Sequence, residues 1–152
     1  MAQNRGKQFE YIVRTCFQKV LNTCIVRLPD QTAGFKGARN VCDFIVYHYP
    51  YQYFIECKTV HGNTLPFTNI TDNQWNGLLE VSRVRGVKAG ILCWWVDKDV
   101  TKWIPIEELQ KLRRRSEQKS LRYDADIPSL LINGKKKKVF YEYDMEDFFK
   151  HV

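Results

Sequence analysis

Two carboxylates and an ammonium group are concentrated between Asp43 and Lys58. Asp43-Phe44-Ile45-Val46-Tyr47 and Phe54-Ile55-Glu56-Cys57-Lys58 flank a short aromatic turn, and both segments have the β-branched and aromatic content of strands. A turn centred between Tyr49 and Pro50 pairs Tyr47 with Gln52, Ile45 with Phe54 and Asp43 with Glu56. Residues directly opposite each other share a face, with Cβ atoms roughly 4.5–5.5 Å apart. Lys58, two residues beyond Glu56, returns to that face. Like charges in such a pair repel, and a divalent cation held by oxygen ligands offsets the repulsion. An ammonium group beside the cation then stabilises charge developing on a phosphate. The plainer alternative is a pair of solvated charges on an open hairpin face. Against it, Phe44, Val46, Phe54 and Ile55 make these strands apolar on both faces, as in a covered sheet.

The elements around the hairpin must position these groups. Phe9, Ile12, Val13, Cys16, Phe17, Val20 and Leu21 follow helical spacing, which predicts an amphipathic helix over about 6–22. Glu10 lies at the edge of that stripe, free to reach solvent or a site beside the core. A short strand is expected over Cys24–Leu28. A Pro-, Gly- and Asn-rich loop over 29–40 then carries Lys36 and Arg39 into the Asp43 strand. Thr71-Asp72-Asn73-Gln74 is a capping-box pattern opening a helix to about Arg85, with Trp75, Leu78, Leu79 and Ser82 inward and Gly86 at its C′ position. Ala89–Val96 reads as a buried strand. Thr101–Ile104 pairs back on it, and Ile106 to about Arg114 forms a helix. Lys111 to Arg122 is basic and exposed. Asn133-Gly134 signals a hairpin joining 130–132 to 139–141, and 143–152 closes the chain as a helix. The layout is a mixed α/β fold, a central mixed sheet flanked by helices.

At 152 residues the chain is expected to form a single domain, with a core over about 4–109 and a basic, variable part over 110–152. The net charge of +7 favours a polyanionic partner, most often nucleic acid. No apolar run approaches the length of a membrane span, and the polar start is unlike a signal peptide. The five cysteines include no Cys-x-x-Cys pair, which favours a reduced, cytoplasmic setting. His48 and His61 flank the hairpin but read as bystanders. Trp94-Trp95 reads as core, with its sheet a candidate dimer interface.

The order Glu10, Asp43, Glu56-Cys57-Lys58 resembles the PD-(D/E)xK nuclease superfamily, although Val41-Cys42 stand where its proline would. Asn4-Arg5-Gly6-Lys7-x-Phe9-Glu10 resembles the first helix of RecU-type Holliday junction resolvases. Phe54-Ile55-Glu56-Cys57-Lys58-Thr59 resembles their catalytic strand, and Leu65-Pro66-Phe67-x-x-Ile70-x-x-x-Gln74 the segment after it. The chain is most similar to the compact phage-type members. It has no segment resembling the long DNA-binding stalk of cellular relatives. The resemblance implies a restriction-endonuclease-like core and a Mg²⁺-dependent endodeoxyribonuclease, with Mn²⁺ able to substitute. The enzyme would act on four-way junctions as a homodimer, in the cytoplasm (the host's, if phage-encoded).

Roles follow from the resemblance residue by residue. Asp43, Glu56 and the Cys57 backbone carbonyl would hold the metal, and Glu10 would be a further carboxylate beside it. Lys58 would orient the attacking water and stabilise charge on the phosphate. Gln74 would bond the water or the phosphate, or serve only as the third residue of its cap. Arg5, Lys7, Lys36 and Arg39 are candidate phosphate clamps. Two other readings remain open: a nuclease of this superfamily acting on another DNA, as restriction or repair enzymes do, and a DNA-binding module without catalysis.

Overall fold

The computed structural model describes residues 4–29 and 40–152. Helix α1 (Arg5–Gln18) starts at Asn4, whose side chain accepts the Lys7 N–H, and buries Phe9, Val13, Cys16 and Phe17. It stops four residues before the expected end. Asn22 takes a left-handed conformation, φ 57°, which turns the chain into β1 (Thr23–Arg27) and leaves Leu21 exposed. β2 (Phe44–His48) and β3 (Tyr51–Val60) form the hairpin. Its register is as expected over Tyr47–Gln52 and Ile45–Phe54. The ladder slips at its open end: the Asp43 N–H donates to the Ile55 carbonyl at 3.1 Å, not to Glu56. Phe44 and Asp43 thus both face Ile55, the two-against-one arrangement of a bulge.

β4 (Thr64–Pro66) and a short 3₁₀ turn lead to α2 (Asp72–Ser82). The Thr71–Gln74 capping box is present. The helix ends three residues before the expected Arg85; Gly86 does take a positive φ of 84°, but within the turn that follows rather than at the helix's own C′ position. β5 (Val87–Trp95) runs parallel to β3, and β6 (Val100–Pro105) antiparallel to β5. Then come α3 (Ile106–Arg115), β7 (Ser120–Arg122), β8 (Leu130–Leu131), β9 (Gly134–Lys137), β10 (Phe140–Tyr143) and α4 (Met145–His151).

The main sheet has the order β1-β2-β3-β5-β6-β8, with β4–β7 and β9–β10 as separate pairs. One face packs Phe44, Val46, Tyr53, Ile55 and Trp94 against residues of α1 and α4. The other packs Ile91, Cys93, Trp95 and Ile104 with residues of α2 and α3. β5 lies centrally and is covered on both sides, which is why its run is apolar throughout. Trp94 and Trp95 are accordingly only 1% and 0% exposed. Both belong to the core, so neither side chain itself presents a surface to a partner.

Two further expectations change. The hairpin near the C-terminus does not turn at Asn133-Gly134. Leu130–Leu131 joins the edge of β6 instead, and β9 pairs with β10 across Lys138, whose φ is 57°. Gly134 opens β9 because a Cβ there would lie 2.8 Å from the Glu142 carbonyl oxygen. The basic segment 111–122 also divides: its first part completes α3, and its last part pairs as β7 with Leu121 buried.

Candidate active site

The site lies where β3 runs past the end of β2. Even-numbered side chains of β3 point to the α2 face, in register with Ile91 and Cys93 of β5; Glu56 and Lys58 are therefore on that face. Glu56 is 3% exposed. Its Oε1 accepts from Lys58 Nζ at 2.9 Å and from Gln74 Nε2 at 2.8 Å. Its Oε2 is buried with no donor. Asp43 comes in from the bulge and accepts the Cys57 N–H on Oδ2 at 2.8 Å.

Both carboxylates have a raised proton affinity. Burial pushes Glu56 up to about 7, Asp43 adds to the rise, and Lys58 opposes it. Asp43 is also raised, chiefly by burial, against the lowering effect of the Cys57 N–H. An orphaned buried oxygen beside a second raised carboxylate is a site that needs a proton or a cation. The strand supplies a further oxygen. Ile55 and Cys57 turn their peptide groups to the β2 edge, as the bonds from Asp43 N to Ile55 O and from Cys57 N to Asp43 Oδ2 require. The Cys57 carbonyl shares that edge by the strand's alternation. The Cys57 thiol points to the opposite core, where burial and then Asp43 and Glu56 hold it well above its usual range.

Among the described residues, no three His, Cys, Asp or Glu side chains converge as a ready cation cage. The donor set is two carboxylates and a carbonyl, which suits a hard cation that retains several waters, as Mg²⁺ does. Glu10 stands nearby, and its charge raises both Asp43 and Glu56. Its carboxylate is held by Arg27 Nη2 at 3.2 Å and by Lys7 Nζ at 3.7 Å. Arg27, at the end of β1, was not singled out from sequence. Its alternation marked a strand, but nothing in the sequence told which carboxylate it would meet.

Gln74 takes the expected cap position and also reaches the carboxylate site. Its Oε1 accepts the Thr71 N–H at 3.0 Å, closing the cap, and Lys58 Nζ at 3.4 Å, while its amide holds Glu56. Helix α2 is fixed over the Asp43 strand by Asn73, which donates to the Asn40 carbonyl at 3.1 Å. Gly77 completes the contact, since a Cβ there would sit 2.7 Å from both methyls of Val41.

Of the four candidate phosphate clamps, the two that are described lie against other groups of the chain. Lys7 sits against Glu10. The Arg5 guanidinium lies 5.3 Å from the Phe140 ring centre, with Nη1 buried. Lys36 and Arg39 fall outside the described residues. His61 pairs with exposed Asp97 at 3.2 Å, and His48 stacks on Phe149, so neither approaches the carboxylates. The cavity of about 490 Å³ near Lys88, Trp103 and His151 lies at the start of β5, the end opposite the site.

No family model matches the chain, and no curated protein does. A similar solved structure is that of Hjc from Archaeoglobus fulgidus, a Holliday junction resolvase from an archaeal hyperthermophile. The likeness has a TM-score of 0.50 at 17% identity and covers 68% of this chain and 78% of that one. With its mixed sheet flanked by helices on both faces, this chain has that restriction-endonuclease-like α/β fold.

Proposed function

We propose that the chain is a Mg²⁺-dependent endonuclease, a single nuclease domain related to the compact RecU-like resolvases, that nicks four-way DNA junctions in the cytoplasm. The observation that carries this reading is the Asp43–Glu56 pair, with Glu56 buried and Asp43 half-buried. Its orphaned Glu56 oxygen and its lysine at 2.9 Å sit in a fold shared with a protein described as a Holliday junction resolvase.

Asp43, Glu56 and the Cys57 carbonyl would hold the cation, with Glu10 as a nearby carboxylate restrained by Arg27. When bound, a divalent cation there polarises a phosphate oxygen and acidifies water. The residues do the rest. Lys58 holds an ammonium at the mouth of the pair, where it donates to the attacking water or to a phosphate oxygen and stabilises the charge of the transition state. Gln74 keeps Lys58 and Glu56 at fixed distance, so the ammonium is pre-positioned before DNA arrives. Symmetric paired nicks call for two such sites related by a two-fold axis, hence a homodimer.

The test is Mg²⁺-dependent cleavage of a synthetic four-way junction beside a linear duplex of the same sequence. Asp43→Asn and Lys58→Ala should each abolish cleavage while junction binding persists; full activity in both would sink the assignment. Equal cutting of the linear duplex would favour a restriction- or repair-type substrate. Binding without cleavage in Mg²⁺ or Mn²⁺ would favour a non-catalytic module.

A further inference from the structure

We propose that the cations at the C-terminal end of α3 and just after it, Arg113, Arg114, Arg115 and Lys119, form a track for the phosphate backbone of a DNA duplex arm leading into the carboxylate site. The proposal rests on the nuclease reading above and names the surface that would hold its substrate.

The topology puts this surface at the site's own end of the sheet. β3 and β5 run parallel, and Lys58 stands level with Cys93, near their C-terminal ends. β6 runs back from Val100 beside Trp95 to Pro105 beside Gly90, so α3 begins at the far end and returns about 15 Å over its ten residues. α2 begins at the near end with Thr71 and Gln74. The start of α2 and the end of α3 are therefore neighbours. Trp75 Nε1 donates to Gln110 at 2.6 Å, and the Arg113 guanidinium lies 4.8 Å from the Trp75 ring centre. The Lys119 carbonyl accepts the Phe67 N–H at 2.9 Å. A cleft of about 430 Å³ opens between these elements, lined by Thr71, Asp72, Arg113 and Lys119 together with apolar Phe67 and Ile70. Asp72 is its one acidic side chain. One helical turn beyond Thr71, Gln74 touches Glu56 and Lys58.

Charge pairing separates this surface in part from the other basic stretch, where Lys135 and Lys138 alone lack an ion pair among the described residues. In the β9–β10 hairpin, Lys136 pairs with Asp99 at 2.7 Å and Lys137 with Glu142 at 3.9 Å. On the α3 side, Lys111 pairs with Glu108 and Arg122 with Asp124. Among the described residues, no carboxylate pairs with Arg113, Arg114, Arg115 or Lys119. Arginines in the last turn of a helix do complement its dipole. That accounts for their tolerance there, but not for Lys119 beyond the helix, nor for the meeting of Arg113 and Lys119 on one cleft. Arg113 and Lys119 on the cleft, with Arg114 and Arg115 beside them in the last turn of α3, form a run of cations without carboxylate partners at the end of the sheet that carries the carboxylate site, which fits a polyphosphate backbone read without sequence.

The experiment measures binding of the full chain to a four-way junction and to a linear duplex in EDTA, across a salt series. Arg114, Arg115 and Lys119 are changed together to Gln, and folding is checked by circular dichroism. The expected result is roughly tenfold or greater weakening at low salt, with the slope of log K against log salt shallower by about 2 to 3. Arg114→Lys with Arg115→Lys should keep the wild-type slope, as should Lys135, Lys136 and Lys137 changed to Gln. An unchanged slope and affinity in a folded triple variant would overturn the track while leaving the nuclease reading intact. A wild-type chain that binds neither DNA would overturn both.

Discussion

The Gln74 amide donates to Glu56 Oε1 at 2.8 Å while the same side chain closes the α2 cap on Thr71. One residue thus ties the start of a helix to the carboxylate that needs restraint. The two duties separate by mutation. Thr71→Ala should cost about 1 kcal/mol of stability through the lost cap and leave cleavage near wild type. Gln74→Ala should lose comparable stability and, in addition, reduce cleavage or metal affinity about 10- to 100-fold, as removal of a residue that supports a ligand typically does. Urea unfolding and single-turnover cleavage on both variants check the split. Equal activity in the two would make Gln74 a cap alone.

The raised Glu56 carboxyl gives a pH dependence with a definite sign. Its value of about 7 in the folded chain stands above the unfolded carboxylate near 4.3. The folded state therefore holds a proton that the unfolded state has released. That contribution is fully present below about pH 4.3 and is lost as pH rises through about 7, by up to a few kcal/mol. Unfolding in EDTA from pH 4.5 to 8 should show wild type losing stability relative to Glu56→Gln, which carries no titrating group there. Mg²⁺ should raise the midpoint of wild type more at pH 8 than at pH 5. A pH-independent difference between wild type and Glu56→Gln would refute the buried, proton-holding pair.

Much of this arrangement was readable beforehand, and the exceptions have physical causes. The hairpin register follows from a two-residue turn and the strict alternation of strands, so Ile45–Phe54 and the shared face of Glu56 and Lys58 were legible. The bulge at Asp43 was not, because it depends on where β2 stops against β3. Gln74 could be read as a cap because that bond is local. Its bond to Glu56 needs the β3–α2 packing, which only the folded chain supplies. Asn133-Gly134 misled because glycine serves turns and close backbone approaches alike, and here the Glu142 carbonyl set the need. The pairing state of the 135–138 stretch was hidden too, since Asp99 lies 37 residues from Lys136 and Glu142 meets Lys137 only across the β9–β10 turn.

Gly77 offers a test of how tightly α2 is pinned. On helix propensity alone, Gly77→Ala would stabilise by roughly 1 kcal/mol. The added Cβ would meet both Val41 methyls at 2.7 Å, and overpacking of this kind costs about 1–3 kcal/mol. The clash should win, and it should also reduce cleavage because Val41 lies two residues before Asp43. Val41→Ala made in the Gly77→Ala background should recover part of both losses. Additive effects in that double-mutant cycle would place the cost elsewhere.

Arg27 and Glu10 make the last test, an electrostatic one. Glu10 adds negative potential at Asp43 and Glu56, and Arg27, 3.2 Å from its carboxylate, cancels part of it. Removing either changes the field at the proposed cation site without touching Asp43, Glu56 or the Cys57 carbonyl. Glu10→Gln should raise the Mg²⁺ concentration for half-maximal cleavage, and Arg27→Gln should lower it. Each change is expected to be a few-fold, since one charge at partly solvated distance is worth on the order of 1 kcal/mol. The two shifts should oppose each other in the double variant, with the Glu10 effect dominating, because Arg27 acts on the site largely through the charge it neutralises. A Mg²⁺ titration of cleavage under single-turnover conditions reads all three. Shifts in the same direction for both single variants would mean that Arg27 holds DNA or the fold, and not the Glu10 charge.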